Sequence, residues 1–163
     1  MSGGTDPSLA GFQSFVTNVM AVPSSALDPV TAPVVQYAYD FALEWVNGLL
    51  CLVPSPTGAW TIYARAVYNL AADTLINWAQ DAANAPVYKD GMPYWQWLRA
   101  QYGVNNFVAG VVQSTSDEGT SSSYLVPEAF KELTIANLGN LKTPYGRAYL
   151  GMAQSWGSVW GIS

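Results

Sequence analysis

Apolar and polar residues alternate along this chain with helical periodicity over most of its length. The strongest pattern runs from Ala59 to Gln80. Tyr63, Val67, Leu70, Ala71, Thr74, Leu75 and Trp78 recur at three- and four-residue spacing, and Ile62, Ala64, Ala66 and Ala72 fill much of the opposite side. A helix that is apolar nearly all round is buried on more than one side. Only Arg65, Asn69, Asp73, Asn77 and Gln80 form a narrow polar stripe for water or polar partners. The segment therefore reads as a central helix with others wrapped around it.

Before it, Asp6-Pro7 reads as an N-cap and first-position proline, followed by a helical face of Leu9, Phe12, Phe15, Val16, Val19 and Met20. Pro23 and Ser24-Ser25 end that helix, and Asp28-Pro29 or Thr31 can start the next. The second stripe, Val34, Ala38, Phe41, Ala42, Trp45 and Val46, stops near Asn47-Gly48 and should pack on the central helix. After a connection rich in Asn, Pro and Lys-Asp-Gly, a short helix carries Tyr94, Trp95, Trp97, Leu98 and Tyr102 and closes at Gly103. Two readings of that aromatic cluster stay open, a core lid with solvated polar tips and a contact surface.

The period changes after Asn105-Asn106. Phe107 to Gln113 reads as extended, Ser116-Asp117-Glu118-Gly119 is turn chemistry, and Thr120 to Val126 tolerates β structure without a helical face. This predicts an extended β-hairpin or loop arm over about 107–126. Its second limb, through Ser122 and Tyr124, is too polar to form a core by itself. Pro127-Glu128 opens a short helix, and Thr143-Pro144 caps a last one lined by Tyr145, Ala148, Tyr149, Met152, Ala153 and Trp156. In the tail, Trp160 and Ile162 sit among glycines. Ordering such a segment costs roughly 1–2 kcal/mol per residue, while burying one large apolar side chain returns roughly 1.5–3 kcal/mol. The tail is thus expected either to dock on another chain or to fold back over its own last helix. The fold class expected is mainly α, a small helical bundle around a buried central helix, with the arm before the C-terminal helix, in one domain spanning 1–163.

Composition adds a second constraint. A domain of 163 residues can bury roughly 70% of its unfolded surface without a metal or disulfide staple. Charged residues are only 10% of the chain, against about 25% in an average soluble domain. Aromatic residues reach 13%, with seven Trp and ten Tyr. Part of the surface is therefore expected to be covered by other protein, the alternative being a compact monomer with a neutral polar coat. The net charge of −5 and six scattered basic residues exclude a basic groove for nucleic acid. Cys51, flanked by leucines and valine, reads as a small core residue in a reducing compartment. The start of the chain lacks a secretory pattern, and no apolar run nears the roughly 20 residues of a membrane span. Synthesis in the cytoplasm is the expectation.

Histidine is absent, which removes Ser-His-Asp and Cys-His nucleophile systems and histidine metal sites. No phosphate-binding loop is present. Two carboxylate pairs, Asp40/Glu44 and Asp117/Glu118, could in principle serve a small cell-wall hydrolase, but a solvated helix edge and a solvated turn account for them. No catalytic residue, cofactor or metal is expected.

The final third carries a resemblance. Gly110-Val111-Val112-Gln113-Ser114, then Gly119 and Ser121-Ser122-Ser123-Tyr124, precede Thr143-Pro144-Tyr145-Gly146-Arg147-Ala148-Tyr149-Leu150. This order resembles head–tail connector (adaptor or neck) proteins of tailed bacteriophages, in which a G-x-V-x-S and S-x-S-Y arm precedes a T-P-Y-G-x-x-Y-L helix. Tyr63 to Ala72 also resembles that family's central helix, whose usual Leu-Ala-Ala-His here reads Leu-Ala-Ala-Asp, ending at Asp73. About half of the chain is covered. The resemblance implies a structural virion protein in the neck, forming a ring, commonly twelve-fold, beneath the portal protein and above a tail or nozzle protein, with DNA passing through it untouched. Under it, Asp117, Glu118, Gly119, Ser122 and Tyr124 of the arm and Trp156, Trp160 and Ile162 of the tail are the candidate subunit or portal contacts. Capsid decoration or a tail component is the alternative with the same composition.

Overall fold

A computed structural model describes residues 6–27, 31–48, 60–104 and 142–155, and the backbone of 114–117 and 120–123. These residues are mainly helical: α1 (Leu9–Asn18), α2 (Ala32–Trp45), α3 (Ile62–Trp78), α4 (Tyr94–Gln101) and α5 (Pro144–Ser155), with a 3-10 turn at Ser24–Ala26. α3 packs against each of the other four, most extensively against α2 and α5. Its eleven buried residues run from Ala64 to Ile76 and cover most of its circumference, as the sequence pattern requires.

Each helix begins where local chemistry allows. Ser8, not Asp6, caps α1: its hydroxyl accepts from the Gly11 amide at 3.1 Å, and Pro7 lies outside the helix. Thr61 caps α3 through the Ala64 amide at 3.0 Å, and Thr143 caps α5 through the Gly146 amide at 3.0 Å. Thr31 holds the N-cap position of α2, but its hydroxyl donates to the Gln80 carbonyl at 3.3 Å and so ties α2 to the end of α3.

α4 has no capping side chain of its own, because Pro93 precedes it. Asp81 supplies the cap from the preceding loop, with Oδ1 accepting from the Trp95 amide at 3.0 Å and Oδ2 from the Gln96 amide at 2.9 Å. Arg99 of α4 returns the favour to α3, donating from Nη1 to the carbonyls of Ile76 (3.2 Å) and Ala79 (2.5 Å). Burial lowers the pKa of that guanidinium, while the nearby Asp81 carboxylate opposes the shift. Between them, Asp90 (φ 52°) and Gly91 (φ 74°) make the tight turn that brings Lys89 against Met92. Gly103 (φ 62°) ends α4 as expected.

The core joins α1, α2, α3 and α4. Phe12, Phe15 and Tyr68 contact one another with ring centroids 5.9–6.5 Å apart, and Trp60 stands edge-on to Tyr68 at 5.4 Å. The Tyr68 hydroxyl accepts from the Ser8 amide at 3.1 Å. Gly11 makes that approach possible, since a Cβ there would collide with the Tyr68 oxygen. Trp95 is fully buried and donates from Nε1 to the Ala26 carbonyl at 3.0 Å. Tyr94, Trp95 and Leu98 are core residues, and Trp97 and Tyr102 are half-buried against them, which favours the lid reading of this cluster.

Ser114–Asp117 and Thr120–Ser123 form strands β1 and β2, paired antiparallel with Ser114 opposite Ser123 and Asp117 opposite Thr120. Ser116 and Asp117, expected in a turn, instead close β1. The expected first limb at 107–113, the helix expected after Pro127, Cys51 and the tail from Trp156 lie outside the described residues.

Candidate assembly surface

α2 has two apolar faces of different size. Val35, Ala38, Tyr39 and Ala42 are buried. Tyr37, Phe41 and Trp45, at four-residue steps, form a second row along the helix, with centroid separations of 6.2 and 5.5 Å. Trp78, the last residue of α3, extends the row by meeting Tyr37 at 5.7 Å. Trp45 and Trp78 are each 62% exposed and Tyr37 is 47% exposed. The helical spacing had placed Trp45 and Trp78 among core positions, and both are corrected to the surface. The small residues Ala38 and Ala42 take the buried side because they let α2 approach α3 closely, which turns the indoles outward. The legible signal was the split of one stripe into a small-residue row and an aromatic row.

The row leads into a cleft of about 350 Å³ lined by Tyr37, Phe41, Asp73, Thr74, Asn77, Trp78 and Lys142. Asp73 is only 3% exposed. Its Oδ1 accepts from the Thr143 hydroxyl at 2.5 Å, and its Oδ2 lies 3.4 Å from the Asn77 amide nitrogen. Burial pushes the Asp73 carboxyl up to about 6, against the opposing pulls of the Thr143 hydrogen bond and the Lys142 charge. Thr143 therefore works twice, donating to Asp73 and accepting from the Gly146 amide at the start of α5. In this way Asp73 fixes α5 on α3. A lone Asp in the run Leu70 to Ile76, with a Thr-Pro helix start later in the chain, is the sequence trace of this junction.

A second exposed cluster lies at the turn before α4. Lys89 Nζ sits 5.2 Å from the Tyr88 ring centre and 5.0 Å from that of Trp97, and the Trp97 indole donates to Asp90 at 3.2 Å. These rings satisfy one another more fully than the row on α2.

Of the residues expected at subunit or portal contacts, Asp117 ends β1 beside Thr120, and Ser122 pairs with Thr115. Glu118, Gly119, Tyr124, Trp156, Trp160 and Ile162 lie outside the described residues. Asp40 and Glu44 are exposed on α2, where Asp40 accepts from Gln36 at 2.8 Å. Among the described residues, no three His, Cys, Asp or Glu side chains gather as a metal site requires, and no helix is long and apolar enough to cross a membrane. Comparison of the chain with protein-family models, curated proteins and solved structures gave no match.

Proposed function

We propose that this chain is a structural virion protein of a tailed bacteriophage, assembling into a ring that joins the portal to the tail and lines the DNA exit channel. The observation that carries the reading is the meeting of the two helical segments behind the family resemblance. The run ending at Asp73 and the segment opening at Thr143 are 70 residues apart, yet share the buried hydrogen bond between those side chains. The open aromatic row on α2 and α3 adds a surface suited to another protein chain. An acidic chain with six basic residues suits a wall that DNA passes without sticking.

In this reading the hairpin around Asp117, Glu118, Gly119, Ser122 and Tyr124 is an arm to a neighbouring subunit. Trp156, Trp160 and Ile162 dock on the portal or a neighbouring subunit, and the role is one of contact rather than catalysis. Electron microscopy of the purified protein and of the intact particle tests this. Closed rings and about a dozen copies at the neck, in line with closed cyclic assembly, are the expected result. Hundreds of copies over the capsid would replace the connector reading with decoration. Deleting Ser116 to Thr120 should leave a folded monomer that fails to assemble, and unchanged assembly would remove the arm from the account.

A further inference from the structure

We infer that the cleft between α2, α3 and the start of α5 is a socket for a guanidinium side chain, supplied by Arg65 of a second copy of this chain. The inference rests on the ring reading and names the contact that would hold neighbours together. Tyr37, Phe41 and Trp78 offer aromatic faces, on which a guanidinium stacks favourably. Asp73 offers an acceptor: its Oδ1 is engaged by Thr143, while Oδ2 has a long contact with Asn77, feels the Lys142 charge, and keeps lone pairs for a guest. A volume of about 350 Å³ accommodates a guanidinium and its stem. A carboxylate held in such burial costs the fold stability, and a cationic guest offsets that cost.

The donor follows by elimination among six basic residues. Arg99 is committed to the end of α3, and Lys89 to the Tyr88 and Trp97 rings. Lys142 lines the cleft itself. Arg147 already interacts electrostatically with Tyr102, and Lys131, like the other lysines, carries no guanidinium. Arg65 is half-buried on α3, and no hydrogen bond or ion pair of its guanidinium is found among the described residues. It cannot serve its own Asp73. Eight residues along α3 separate them by about 12 Å, and helical side chains lean toward the N-terminus, away from Asp73. Made head-to-tail, the contact leaves each copy one donor and one socket, the arrangement from which a ring can close.

Sedimentation velocity on four variants tests the socket. Arg65→Gln and Asp73→Asn should each weaken self-association at least tenfold while remaining folded, and Lys142→Met, which removes the competing cation, should strengthen it. Mixing Arg65→Gln with Asp73→Asn copies should give dimers at concentrations where each alone is monomeric, because one intact contact is restored. Wild-type association by both single variants would overturn the socket and leave the ring standing. If the wild type is monomeric at every concentration, the ring reading fails, and the socket is judged by titrating N-acetyl-arginine methylamide against Trp fluorescence. A saturable change lost in both Trp78→Phe and Asp73→Asn supports it, and no change overturns it.

Discussion

Two aromatic clusters of this molecule share residue types and each includes one residue of the central helix, yet they differ in what they touch. Around the start of α3, Phe12, Phe15, Trp60 and Tyr68 surround one another, and the Tyr68 hydroxyl is matched to the Ser8 amide. At its end, Tyr37, Phe41, Trp45 and Trp78 meet in stacked and tilted pairs but leave two indoles 62% exposed. The first cluster has its polar atom satisfied and its apolar area removed from water. The second leaves apolar area on its outer side in water. Packing, not composition, separates a core from a contact surface, and the two should respond oppositely to truncation.

The largest effect is expected inside. Trp95→Ala removes a fully buried indole and strands the Ala26 carbonyl, and should lower unfolding free energy by about 3–5 kcal/mol in urea titrations. Asp73→Asn should go the other way. The folded pKa lies at about 6, above the ordinary carboxylate value of 3.8. The native state therefore holds the proton more tightly, and wild-type stability falls as pH rises from about 4 through 6. The amide removes this loss, so the variant should be more stable than wild type by on the order of 2 kcal/mol at pH 8 and equal to it at pH 4. Denaturation curves at both values check the sign.

Gly11→Ala should be destabilising by about 1–3 kcal/mol, although alanine is the better helix former, because Tyr68 is wedged between rings and cannot yield. The smallest effect on stability is expected outside: Trp45→Ser with Trp78→Ser should change the unfolding free energy little, by about 0.5 kcal/mol or less per site, in urea titrations. A large loss there would merge the two clusters into one core.

The helical class and the central role of α3 were legible because a helix apolar all round has few other fates. Thr143-Pro144 as a helix start, and Gly103 as a stop, were legible because their chemistry is local. Periodicity could not tell Trp45 and Trp78 from core, since spacing records which side a residue is on and not what lies beyond it. Nor could it find the Asp81 cap of α4 or the reach of Arg99 to α3, whose partners are 14 to 23 residues away in the chain. Asp73 stood in the polar stripe by type, yet burial against Thr143 depends on α5 returning from 70 residues later.

The central claim is that the aromatic face ending at the Asp73 cleft is kept open for another copy of the chain. Sedimentation velocity of the wild type beside the Trp45→Ser, Trp78→Ser double variant, from micromolar to near-millimolar concentration, tests it most directly. The account predicts concentration-dependent growth to a closed oligomer for the wild type and a folded monomer throughout for the variant. Identical sedimentation of the two would contradict it.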